Sequence, residues 1–356
     1  MRKNQNLIWL LITGSVVGAL AILLMKMGNP PNMGICVACF IRDTAGALGF
    51  DGAPPVQYIR PEIAGLLLGS FVIAHARKEF RSFGGSSPLV RFVIAFFVMF
   101  GALVFLGCPL RMILRLAAGD LNALVGLAGF ASGIAVGSIW LRKGFTLGRA
   151  CDQPSTSGFI MPAIALTLLA FLVIRPAFIK FSAEGPGSMH APVLASFAAA
   201  LLIAALAQRS RMCMAGGIRD MILIKNPNLL LGYIAVFAAA LIANIATGGF
   251  KLGFEGQPIA HTNHLWNFLG MSLVGYGSSL LGGCPLRQVI MAGEGNSDAG
   301  ICVLGFLAGG AAAHNFGAAA SAAGVPLNGQ IAVAAGLVVL SCAAALCTFE
   351  RKAGTL

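Results

Sequence analysis

Two short segments of this chain set thiols beside ionisable groups, and each occurs twice. Gly34-Ile-Cys-Val-Ala-Cys-Phe-Ile-Arg-Asp43 places Cys36 and Cys39 just ahead of Arg42 and Asp43. It returns as Arg211-Met-Cys-Met-Ala-Gly-Gly-Ile-Arg-Asp220, which matches Cys213, Arg219 and Asp220 to Cys36, Arg42 and Asp43 at an offset of 177. Gly107-Cys-Pro-Leu-Arg111 returns as Gly283-Cys-Pro-Leu-Arg287 at an offset of 176. Gly129-Phe130 and Gly133 return in turn as Gly305-Phe306 and Gly309. Motifs repeated in the same order at nearly one offset mark a duplication. A thiol is a weak donor and a polarizable acceptor, so it suits a soft sulfur or selenium atom better than a hard oxyanion such as phosphate. A single membrane cysteine is ordinarily a small buried hydrophobe. Repetition of Cys36, Cys108, Cys213 and Cys284 reverses that expectation and makes them candidates for a substrate pathway.

The neighbouring residues supply the rest of the chemistry. Gly107 and Gly283 permit close backbone approach, and Pro109 and Pro285 suit a first helical turn, so each cysteine just ahead of them meets a positive helix end. Arg42 with Asp43, Arg219 with Asp220, and Arg111 and Arg287 are ionisable groups near membrane depth, where charge must be paired or hydrated. They either attract an anion or lock the local fold. Asp120 and Glu294 are placed to cap the spans that follow them. Cys36 and Cys39 form a Cys-x-x-Cys, a spacing used in redox sites. A membrane thiol-disulfide oxidoreductase is therefore the alternative function class, although the second half has Gly216 where the first has Cys39. Cys302, Cys342 and Cys347 read as packing residues and Cys151 as a thiol of the cytoplasmic side. His261-x-x-His264 has no supporting carboxylates, so no metal is expected. No cofactor is expected either, and no phosphate-binding loop points to direct ATP drive.

The elements that must position these residues follow from composition. Of the 356 residues 58% are hydrophobic and 10% charged, with a mean hydropathy of +0.86. Such a chain takes lipid as its solvent. Apolar runs predict an all-α polytopic membrane protein with about ten spans, near 7–27, 61–76, 88–107, 122–141, 157–174, 191–208, 229–247, 264–282, 298–316 and 327–347. The first run lacks a small-residue cleavage site and reads as a retained span. The net charge of +12 lies in short loops, where it sets orientation rather than binding nucleic acid. Arg77, Lys78 and Arg81, then Arg142, Lys143 and Arg149, then Arg209 and Arg211, with Arg2 and Lys3 before the first span and Arg351 and Lys352 after the last, place both termini in the cytoplasm. The segments 175–189 and 248–263 become periplasmic loops. The Cys-containing stretches between spans are too short and Gly-rich to cross alone, and fit re-entrant helices facing a pathway. Four domains are expected: a first repeat over 1–150, a connector over 151–190, a second repeat over 191–320 and an added span over 321–356. An odd number of crossings separates the repeats, so their topologies are inverted.

The paired Cys-x5-Arg-Asp and Gly-Cys-Pro-Leu-Arg motifs, in a ten-span Gly-rich chain, resemble the YeeE/YedE sulfur-transport family along nearly the whole length. The stretch from Gly107 to Asp120 resembles most the YedE branch, which is proposed to handle selenium, whereas the YeeE branch imports thiosulfate. The resemblance implies a non-enzymatic transporter or channel-like importer of the bacterial inner membrane, shaped like an hourglass. Its pore cysteines would pass substrate along by weak thiol contacts, in the order Cys36, Cys108, Cys284, Cys213 from outside to inside, with Cys39 as an extra thiol. It also implies a small sulfur or selenium solute, surrounding lipid and a TusA-like or rhodanese-like sulfur carrier in the cytoplasm as partners.

Overall fold

The computed structural model describes residues 2–352, with side chains over residues 6–349. The side chains of Arg2, Lys3, Arg351 and Lys352, which belong to the basic clusters, lie outside the described residues. The chain is all-α. Ten long helices occupy the expected spans among the described residues: α1 (Arg2–Lys26), α3 (Pro61–Ala76), α4 (Pro88–Phe105), α6 (Asn122–Arg142), α7 (Ser155–Ile174), α8 (Val193–Ser210), α10 (Asn228–Ala246), α11 (His264–Leu280), α13 (Ser297–Asn315) and α14 (Leu327–Lys352). Four short ones lie between them: α2 (Val37–Ala47), α5 (Pro109–Ala117), α9 (Met214–Ile224) and α12 (Pro285–Gly293). A two-residue antiparallel pair, β1 (Phe83–Gly84) with β2 (Cys151–Asp152), ties two loops together.

Eight segments are long and apolar enough to cross a bilayer by themselves. The exceptions among the ten are α11, with 17 residues, and α13, which carries Asp298 and His314. Both pack against other helices along much of their length, α11 on α6 and α4, and α13 on α4 and α2. A helix shielded by protein needs less apolar surface than one facing lipid. Large apolar side chains such as Leu89, Val173, Leu194 and Ile242 stand exposed, while Arg60, Arg111 and Arg115 are among the most deeply buried. That distribution is the reverse of a water-soluble protein, and the chain is a multi-pass membrane protein.

The close pairings are α1 with α10, α3 with α8, α6 with α11, and α4 with α13. Moving each helix by the repeat offset turns α1 into α8 and α10 into α3, and turns α6 into α13 and α11 into α4. Each pair is thus exchanged with its counterpart. The crossings are made by small residues: Gly129 and Gly133 of α6 lie against the carbonyls of Phe268 and Ser272 in α11, and Gly305 and Gly309 of α13 against those of Phe92 and Phe96 in α4. These are the glycines that recur in sequence, and their lack of a side chain lets the backbones touch.

Candidate functional site: thiols at four converging helix ends

The short helices position the cysteines. At about 1.5 Å per residue, 11 residues reach roughly 16 Å, half the thickness of a bilayer core. Each helix begins at its motif cysteine: Cys36 is the N-cap of α2, Cys108 of α5, Cys213 of α9 and Cys284 of α12. Cys36 Sγ accepts from the Cys39 amide at 3.4 Å, and Cys213 Sγ from the Gly216 amide at 3.3 Å. Only the backbone of the third residue is used in this cap, which accounts for Cys39 and Gly216 standing at one position. Pro109 and Pro285 open α5 and α12. The glycine before each cysteine is required by space, because a Cβ at Gly107 or Gly283 would meet the folded-back side chain of Arg111 or Arg287.

The C-terminal ends of α2 and α5 reach one face of the molecule, where Ala47 O accepts from Lys180 N at 2.9 Å and Ala118 O from Lys251 N at 2.8 Å. Those of α9 and α12 reach the other, where Ile222 O accepts from Arg142 and Glu294 O from Arg81 N. The N-terminal ends of all four therefore point inward. Cys213 and Cys284 meet there, with their sulfurs 3.9 Å apart, and Cys36 faces both Cys108 and Cys39. All five thiols are buried and none is in a disulfide. Four positive helix ends and two thiol pairs thus share a dry interior, a setting that favours an anion with soft atoms.

A cavity opens beyond each pair. The first, about 430 Å³, is lined by Arg42, Leu106, Ile259 and His314 together with Gly317 and Ser321. The second, about 230 Å³, is lined by Arg219, Gly282, Arg91 and Leu141 with Phe145. Arg42 matches Arg219 at offset 177, and Leu106 matches Gly282, Gly317 matches Leu141 and Ser321 matches Phe145 at offset 176. The cavities are counterparts, and each lies two residues from a motif cysteine, Leu106 from Cys108 and Gly282 from Cys284.

The arginines divide into distinct roles. Arg42 Nη2 lies 2.6 Å from Asp43 Oδ1, and the other oxygen of Asp43 holds Arg60 Nε at 2.8 Å. Arg60 also donates to Pro186 O at 2.7 Å and Met189 O at 3.0 Å, pinning the loop that follows α7. Arg219 pairs with Asp220 at 2.9 Å in a partly exposed setting. Arg111 and Arg287, alike in sequence, differ in space. Arg287 pairs with Glu294 at 2.9 Å, and Glu294 also takes Arg211 at 2.9 Å. Arg111 donates to the carbonyls of Asn32, Leu106 and Ile259 and to Cys39 Sγ at 3.5 Å, and has no carboxylate partner among the described residues. Its charge lies beside the Cys39 thiol.

The expectation that Glu294 caps the next span is corrected. Asn296 caps α13 by accepting from Ala299 N at 3.0 Å, while Glu294 is drawn into the arginine pairs. Asp120 combines both functions: one oxygen holds Arg115 at 2.7 Å and the other accepts from Asn122 N at 2.9 Å. His261 bonds the Val104 carbonyl at 2.7 Å and so anchors the 248–263 loop. Sequence reasoning passed over Arg60, His314 and Tyr233. The available signals were a charge directly before the Pro61 helix start and a phenol within the apolar run of α10.

Residues 209–349 match the family model described as sulphur transport. This part of the chain is similar to that family. It holds α9 to α13 with Cys213 and Cys284, whose motifs the first half carries again at Cys36 and Cys108. None of the curated proteins compared with the chain matches it. The match to sulphur transport and the membrane-spanning helices together support a membrane transporter for a sulfur compound.

Proposed function

We propose that a small sulfur- or selenium-containing anion passes between the two cavities along Cys36, Cys108, Cys284 and Cys213, without covalent chemistry. The observation that carries this reading is the pair of thiol contacts at inward-pointing helix ends, flanked by counterpart cavities with Arg42 and Arg219 at their rims. Arg111 adds uncompensated positive charge at the first pair and draws the anion in. The exchange of helix pairs under the repeat supports two repeats over 1–150 and 191–320 in inverted topology, with 151–190 as connector and 321–356 as an added span. With the basic loops in the cytoplasm, the Arg42 cavity faces the periplasm of an inner membrane and the Arg219 cavity faces a cytoplasmic sulfur carrier. An oxidoreductase reading is disfavoured because Cys36 and Cys39 have no exposed surface for exchange with a second protein.

Thiosulfate and selenite are the discriminating substrates. Cells carrying the wild-type protein are expected to accumulate one of these labelled anions faster than empty cells. Cys108→Ala, which removes a central thiol and little volume, is expected to slow that uptake about tenfold, the scale of one lost hydrogen bond to a charged group. Uptake equal to empty cells for both labels overturns the proposal, as does full activity of Cys108→Ala.

A further inference from the structure

Tyr233 lies on α10, a helix that packs against both α5 and α9. The side chain is 2% exposed. It borders Ile113 of α5 and Met214 of α9, the latter directly after Cys213. Its hydroxyl lies beside the Cys284 thiol, and Cys213 and Cys108 are the next thiols to it. The phenol hydroxyl nevertheless has no hydrogen-bond partner that completes its geometry among the described residues. An unpaired hydroxyl in a dry interior is costly, and such groups persist where something else supplies the partner. In α10 the flanking residues are apolar, Ile234 and Leu231 among them, so a phenylalanine would have packed as well.

We propose that Tyr233 is the specificity residue at the crossing point between the two thiol pairs, donating its O–H to the solute as it passes from Cys108 to Cys284. A thiol is a weak donor to an anion, so passage between the pairs is helped by a stronger neutral one. A phenol supplies one without introducing a charge that would hold the anion in place. The consequence is selectivity for a solute that carries an acceptor oxygen or anionic sulfur as well as a soft atom. A neutral solute without an acceptor would leave the hydroxyl unpaired during passage.

This inference rests on the transport reading, and the experiment separates the two. Uptake of labelled thiosulfate and selenite is measured for the wild type, Cys108→Ala and Tyr233→Phe, with thermal stability of each purified protein in detergent. Tyr233→Phe keeps the ring and its packing, so its unfolding temperature is expected to match the wild type. Its maximal uptake rate is expected to fall about tenfold or more, the loss of one hydrogen bond to an anion. The half-saturating concentration, set at the outer cavity, is expected to change little. Uptake by the wild type that is slowed in Cys108→Ala but unchanged in Tyr233→Phe overturns the role of Tyr233 alone. A Tyr233→Phe protein that loses uptake together with thermal stability also overturns it, by making the residue structural. Absence of uptake by the wild type overturns both readings.

Discussion

At the scale of single residues, burial decides which charges matter. Asp43 is wholly buried and holds both Arg42 and Arg60, whereas its repeat counterpart Asp220 is partly exposed and holds Arg219 alone. Removing one partner of a buried pair strands the other charge, at a cost of about 3–5 kcal/mol. An exposed pair contributes about 1 kcal/mol or less. Asp43→Asn is therefore expected to lower the unfolding temperature severely or prevent folding, and Asp220→Asn to leave it nearly unchanged. Thermal unfolding of the two purified variants checks this, and equal effects would show that the two halves bear the pair in the same way.

Among the elements, the crossings of long helices keep the short ones in register. The N-caps at Cys108 and Cys284 follow α4 and α11, which lie against each other. The glycines of α6 and α13 in turn bring α11 and α4 close. A leucine at Gly133 or Gly309 would place a side chain where a carbonyl now sits, and overpacking of this kind costs about 1–3 kcal/mol. Gly133→Leu and Gly309→Leu are expected to lower stability comparably and to disturb the distance between the motif cysteines. Crosslinking of Cys213 to Cys284, or of Cys36 to Cys108, by a short thiol-specific reagent measures that distance directly. An unchanged crosslinking yield in Gly133→Leu would separate the crossing from the site.

On the scale of the whole molecule, a chain of ion pairs ties the halves together on the α9 face. Glu79, after α3, bonds Arg77, Gln208 at the end of α8 and Arg211, and Arg211 continues to Glu294 and Arg287. Hydrogen bonds from Arg77 and then Gln208 hold the Glu79 carboxyl below its ordinary value of 4.5. Its contribution is complete above that value and is lost as pH falls through the lowered folded value. On the opposite face, burial keeps the His261 ring below its ordinary 6.5, so the neutral ring anchors its loop. That contribution is complete above 6.5 and declines as pH falls toward the lowered value. Unfolding temperature is thus expected to fall in two stages on acidification. His261→Gln should flatten the first stage and Glu79→Gln the second, measured by unfolding across the pH range. A single stage insensitive to both substitutions would contradict the assignment.

Some features required only the order of residues. The membrane solvent, the ten helices, the repeated motifs and the helix starts at Cys108 and Cys284 follow from apolar run length, from a common offset near 177 and from Pro after Cys, all of which are local along the chain. Other features depend on contacts between residues far apart in sequence. Arg287 is neutralised by Glu294 seven residues on, where the first half has Ala118, but the carbonyls that Arg111 reaches at Asn32 and Ile259 are far from it along the chain. Nothing local brings Cys36 to Cys108 or Cys213 to Cys284, since each pair joins segments about 71 residues apart through the packing of α4 and α11. The same holds for Arg60 on Asp43 and for Tyr233 between the thiol pairs. Spacing along the chain therefore specified which groups could meet a soft anion, and tertiary packing alone decided which of them are desolvated, paired or left open to it.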